Sequence, residues 1–84
     1  MGTPELNNQM IGRNLKDIRR RAGFLPAEVA SHLGISTSTL GRYETGTAPI
    51  RFIDAVRLAN LYGCSLEVLA RYPSASNNKI SLTG

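Results

Sequence analysis

Residues 26–46 read PAEVASHLGISTSTLGRYETG, and their spacing decides the fold. Counted from Pro26, the apolar side chains Val29, Leu33, Ile35, Leu40 and Tyr43 fall at positions 4, 8, 10, 15 and 18. Ala30 places a small residue at position 5, and Gly34 a glycine at position 9. This is the pattern of two short helices packed across a tight turn, a helix-turn-helix. Helices that cross so steeply leave no room for a bulky side chain at Ala30. Gly34 can take the left-handed backbone that ends the first of them. Ser36 follows the turn, and its side-chain oxygen can cap the free amides of TSTLGRYE. The cap supports a helix and is silent about function.

Outward from this stretch, the hydrophobic spacing predicts three more helices. A first runs from Asn8 to Arg21, with Ile11, Leu15, Ile18 and Ala22 recurring along one stripe. Asn7 or Asn8 can cap it and Gly23 can stop it. The motif helices span Pro26 to Leu33, where a first-turn proline costs no hydrogen bond, and Thr37 to Glu44, closed by Gly46. TGTAPI at 45–50 is a loop by its Gly, Thr and Pro content. A fourth helix runs from Arg51 to Tyr62, with Phe52, Ala55, Val56 and Ala59 on one face and Leu58, Leu61 and Tyr62 widening it. It is expected to be the most buried. Ser65 caps a short fifth helix, Leu66 to Arg71, whose Leu66 and Leu69 close the core before Pro73. The sum is an all-α, compact five-helix bundle: an arm at 1–8, a domain at 9–72 and a polar tail at 73–84, expected to be flexible. Within that tail Lys79-Ile80-Ser81-Leu82 alternates as a short strand does.

Composition bounds what such a bundle can do. Eighty-four residues make one domain with one modest core. A hydrophobic share of 42% against 19% charged is globular. No apolar run is long enough to span a membrane. MGTPELNNQMIG has no basic-then-apolar leader, and Leu6 breaks the myristoylation pattern. One cysteine, Cys64, has no disulfide partner and cannot hold a metal with the single His32, so a reduced, cytoplasmic protein without cofactor is expected. Cys64 suits a core boundary, and His32 falls on the outward face of its helix. The net charge is +4. Lys16, Arg19, Arg20 and Arg21 cluster at the end of the first helix, where they either complement its dipole or face phosphate.

Three blocks in order, IGRNLKDIRRRAG, LPAEVASHLGISTSTLGRYETG and PIRFIDAVRLANLYGCSLEVL, resemble the lambda-repressor-like, Cro-type (Xre-type) helix-turn-helix domains. The resemblance covers Ile11 to Arg71 and implies a five-helix fold that binds operator double-stranded DNA as a dimer and controls transcription. It implies an internal ion pair between Arg19 and Glu44, and an acid at a helix C-terminus does call for a cationic partner. It places base readout on Thr37, Ser38, Gly41 and Arg42. The hydroxyls discriminate weakly, whereas the Arg42 fork can reach O6 and N7 of guanine, or else clamp a phosphate. Phosphate contacts fall on Ala27, Thr39, Thr47 and Arg51. The loop Thr47-Ala48-Pro49-Ile50 carries no Lys or Arg, so the amides of Thr47, Ala48 and Ile50 are expected to serve beside Arg51. Two departures stand out. Leu25-Pro26 replaces the Ser/Thr-Gln that usually opens the second helix, and Gly41 lies inside the recognition helix at a cost of about 1 kcal/mol relative to Ala.

Other functions fit less well. One histidine, no activated nucleophile, no phosphate-cradling loop and no clustered carboxylates leave nothing from which to build an enzyme site. RNA binding lacks an aromatic stacking platform. The alternative is a protein-interaction module of the same fold, antitoxin-like or antirepressor-like, whose recognition helix meets protein. A homodimer would use Leu66, Val68 and Tyr72, joined by Ile80 and Leu82, with Val68 expected to face outward. No second domain is visible to sense a small molecule.

Overall fold

The computed structural model describes Asn7 to Arg71. Residues 1–6 of the expected arm, Tyr72, and the whole expected tail at 73–84 with Ile80 and Leu82 lie outside the described residues. Five helices follow in order: α1 (Asn8–Ala22), α2 (Pro26–Leu33), α3 (Thr37–Thr45), α4 (Phe52–Tyr62) and α5 (Leu66–Arg71). The described residues contain no strand. The expected all-α five-helix bundle is the observed architecture, with each helix end within one residue of its sequence-derived place.

The helix ends show why these segments start where they do. Met10 N donates to Asn7 Oδ1 at 2.8 Å, and Thr39 N donates to Ser36 Oγ at 3.0 Å. Leu25 cannot cap α2 through its side chain. Glu28 reaches back instead, its Oε1 accepting from Leu25 N at 2.8 Å, which is half of a capping box. Gly34 has φ 73°, and Ile35 N behind it donates to Ala30 O at 3.0 Å. That turn sets the angle between α2 and α3.

The core draws on every helix: Leu15 and Ile18, Val29, Ala30 and Leu33, Leu40 and Tyr43, Leu58 and Ala59, and Leu69. Ile35 packs half-buried against it. Apolar burial of this kind contributes about 25 cal/mol per Å2 and is the main stabilising term. Two contacts then fix α1. Gly12 is buried, and a Cβ there would meet the carbonyl oxygen of Tyr43 and stand 2.6 Å from that of Glu44, so α1 lies directly on the backbone of α3. Asn14, 1% exposed, donates through Nδ2 to Leu69 O at 3.0 Å and Ala70 O at 2.8 Å. These are carbonyls that a helix of α5's length leaves without internal donors.

Four sequence expectations fail. α4 is not the most buried helix: its buried residues are Asp54, Leu58 and Ala59, whereas α1 buries Gly12, Asn14, Leu15, Ile18 and Arg19. Phe52, the first residue of α4, is 74% exposed rather than internal and lines an open hollow instead of filling the core. Leu66 is 39% exposed, so Leu69 alone of the two closes the core. Ala22, expected on the stripe of α1, is also exposed, since Ile18 and Arg19 are the last residues of that helix to be buried. The displaced apolar groups gather. Ile11, Ile50, Phe52, Ala55 and Leu66 are among those lining an apolar hollow of about 410 Å3 between α1, α4 and α5.

Candidate nucleic-acid interface

α3 buries Leu40 and Tyr43 and turns its other side outward. Thr37, Ser38 and Arg42 are exposed, and Gly41 between them is half-buried. A Cβ at Gly41 would meet nothing within 4 Å. The fold therefore does not need glycine at this place, and the helix penalty of about 1 kcal/mol finds no return in packing. The four residues form one continuous face on the N-terminal two-thirds of a helix whose opposite side is core.

The phosphate candidates flank this face. Ala27 is exposed at the second position of α2, where a helix amide has no internal acceptor. Thr39 is half-buried, and its Oγ1 accepts from Ser36 Oγ at 3.0 Å, leaving its own hydroxyl hydrogen to donate. The loop after α3 departs from expectation. Thr47 N and Ala48 N both donate to Arg42 O, at 3.0 and 3.2 Å, so these amides satisfy the end of α3 and are not offered to a ligand. Gly46, with φ 81°, makes that tight ending possible and brings the loop against Gln9 of α1. The exposed Thr47 keeps its hydroxyl, 2.8 Å from that of Thr45. Arg51 is the N-cap of α4 rather than its first residue, with a side chain 69% exposed.

Arg19 and Glu44 come together. Arg19 Nε donates to Glu44 Oε2 at 2.8 Å and Nη2 to Oε1 at 3.2 Å, a bidentate fork with both side chains under a tenth exposed. Nη1 donates to Phe24 O at 3.0 Å, so one guanidinium ties α1 to the loop before α2 and to the end of α3. The bonded Glu44 carboxylate raises the Arg19 pKa against the opposing effect of burial. Of the basic cluster, Arg19 is thus internal, and only Lys16, Arg20 and Arg21 are exposed. Arg20 and Arg21 share a surface hollow with Asp17.

Sequence reasoning missed Asp54. It is 0% exposed, and its Oδ2 accepts from Tyr43 Oη at 2.6 Å and from Arg51 Nε at 3.3 Å. Burial and the Asp54 carboxylate push the Tyr43 hydroxyl pKa up. The helix-turn-helix spacing counts Tyr43 only as an apolar position. The available signal was that a buried tyrosine hydroxyl needs a partner. Cys64 is half-buried, its thiol pKa raised by burial, and His32 is exposed. Among the described residues no three or more His, Cys, Asp or Glu side chains could hold a metal, and no helix is long and apolar enough to cross a membrane.

Residues 11–72 match the family described as the helix-turn-helix domain. The chain is 33% identical over 72 residues to a Pyrococcus abyssi protein named as an HTH-type transcriptional regulatory protein, a match covering 86% of this chain and 23% of that one. It is 42% identical over 41 residues to the antitoxin PezA of Streptococcus pneumoniae, across 49% of this chain and 26% of the antitoxin. The chain thus spans about a quarter of the length of these relatives. Its fold is similar to that of the restriction-modification controller protein C.AhdI from Aeromonas hydrophila, with TM-score 0.68 and 21% identity over 73% of this chain and 92% of the controller. It is also similar to part of the hydroxypropylphosphonic acid epoxidase from S. wedmorenis, with TM-score 0.70 and 25% identity over 80% of this chain but 36% of the enzyme.

Proposed function

Because the chain belongs to the helix-turn-helix domain family, we propose that it binds double-stranded DNA sequence-specifically and regulates transcription, as a repressor, with α3 docked in the major groove. The observation that carries this is the outward face of α3. Thr37, Ser38, Gly41 and Arg42 stand together, and Gly41 is a place where the fold gains nothing from glycine. A close-fitting partner gains from it, because a bare helix backbone can approach a groove wall or a thymine methyl. Arg42 reads a base, and Ala27, Thr39, Thr47 and Arg51 hold phosphates on either side. Arg19 and Glu44 keep α3 at its angle without touching DNA.

A single helix reads too few base pairs to find one site in a genome, so the bound form is a homodimer with recognition helices about 34 Å apart. The exposed Val68, with Leu66 and Phe52 around the apolar hollow, supplies the described part of that surface. The place of action is the cytoplasm, with no cofactor. Binding rather than catalysis is favoured because the likeness to the epoxidase reaches only 36% of that enzyme. The likeness to an antitoxin motivates a second reading, in which the same face of α3 meets a protein.

Selection of bound duplexes from a random pool tests the proposal. The native chain should enrich a roughly palindromic sequence. Arg42→Ala should lose about 1–3 kcal/mol on that sequence and relax preference at one base pair in each half. A loss equal on every sequence would make Arg42 a phosphate contact. An asymmetric site filled by one chain would contradict the dimer.

A further inference from the structure

Asp54 has no role in the binding face just described, yet it is the most completely buried charge in the described residues. A carboxylate in such a place costs far more than an apolar side chain of similar size unless other groups hold it. Two groups do. Tyr43 Oη donates to its Oδ2 at 2.6 Å from α3, and Arg51 Nε donates to the same oxygen at 3.3 Å from the head of α4. Its other oxygen, Oδ1, is buried without a hydrogen-bond partner. Arg51 uses only Nε in this contact, and its side chain is 69% exposed, so its Nη groups remain accessible to an acceptor outside the protein. Tyr43 follows Arg42 directly on the recognition helix. One buried oxygen therefore registers the loop cation against the helix that carries the reading face.

We propose that Asp54 is a positioning residue for DNA specificity, setting Arg51 relative to α3 through Tyr43; this rests on the DNA reading above. A long arginine on a loop would otherwise meet phosphate in many arrangements, only some of which keep α3 in register with the bases. A fixed guanidinium rewards one docking and not its neighbours. Neutralising Asp54 has two opposed effects. It removes the fixed geometry, which lowers affinity for the selected site, and it removes a negative charge beside the phosphates, which raises affinity for any duplex.

The test compares dissociation constants for the pool-selected duplex and for a random-sequence duplex at one salt concentration. Asp54→Asn should lower the ratio of selected to random affinity about fivefold, the size of coupling expected between groups in contact. A purely structural role reduces both affinities by one factor, as any loss of folded protein does, and leaves the ratio where it was. Tyr43→Phe deletes one oxygen from the same cluster and should move the ratio in the same direction by less. In an Arg51→Ala background, Asp54→Asn should no longer move it. An unchanged ratio in both Asp54→Asn and Tyr43→Phe overturns the inference, and so does an undiminished effect without Arg51. The native chain is measured first: if it shows no preference among duplexes, the DNA reading itself has failed, and no variant is needed to see it.

Discussion

Glu44→Ala should lower stability by about 3 kcal/mol, because it leaves the Arg19 guanidinium buried without its counter-charge. Both side chains of the pair are under a tenth exposed, and two of the guanidinium's three nitrogens donate to Glu44. For a domain of this size that corresponds to a fall in Tm of about 12–24 °C. The cost is that of a stranded charge and not the net worth of the pair. Glu44→Leu combined with Arg19→Met should accordingly recover most of the loss, as buried ion pairs exchanged for apolar side chains often do. Thermal melts followed by helical circular dichroism measure both. A Glu44→Ala protein melting within a degree or two of the native chain would show that water reaches the pair and carries the charge.

Gly12→Ala should be comparably damaging, for an unrelated reason. In an exposed helix the same change would add about 1 kcal/mol of stability. Here the new methyl would fall on the carbonyl oxygens of Tyr43 and Glu44, the second at 2.6 Å, and both belong to backbone that cannot swing aside. α1 must lift off α3, and Arg19, two turns further along the same face, is drawn from Glu44 as it does. Overpacking usually costs about 1–3 kcal/mol. With backbone on the far side, a net loss of about 3 kcal/mol is expected, again read from the melt. A Tm unchanged or raised would mean that α1 and α3 do not lie this close.

These two predictions mark where the sequence is legible and where it is not. The helix-turn-helix was readable because its constraints are local. Ala30, Gly34 and Ser36 sit within one turn of what they serve, and the spacing of Val29, Leu33, Leu40 and Tyr43 fixes a single buried side. Periodicity finds such a side but not what covers it. Phe52 and Leu66 lie on the apolar sides of α4 and α5 and are nevertheless exposed, each at the first position of its helix and lining the open apolar hollow. Gly12 and Asn14 were unreadable for a related reason. Each is defined by a partner far along the chain, as Asn14 is by the carbonyls of Leu69 and Ala70. The loop amides went wrong because a helix end claims its neighbours first. Once Gly46 turns the chain, Thr47 N and Ala48 N are committed to Arg42 O.

The outward residues were placed on α3 by the motif, and the packing then added what spacing could not: Gly41 stands in open space. DNA docking at this face has a direct consequence in salt. Each phosphate neutralised by the chain releases counter-ions, so log affinity plotted against log salt should fall with a slope of about −0.9 per phosphate. The decisive measurement is a titration of the native chain against random and pool-selected duplexes across a range of salt concentrations. The account predicts binding to both at low salt, a steep fall for each, and a preference for the selected duplex that survives as salt rises. No detectable affinity for any duplex at low salt would contradict it and leave the face of α3 to a protein partner.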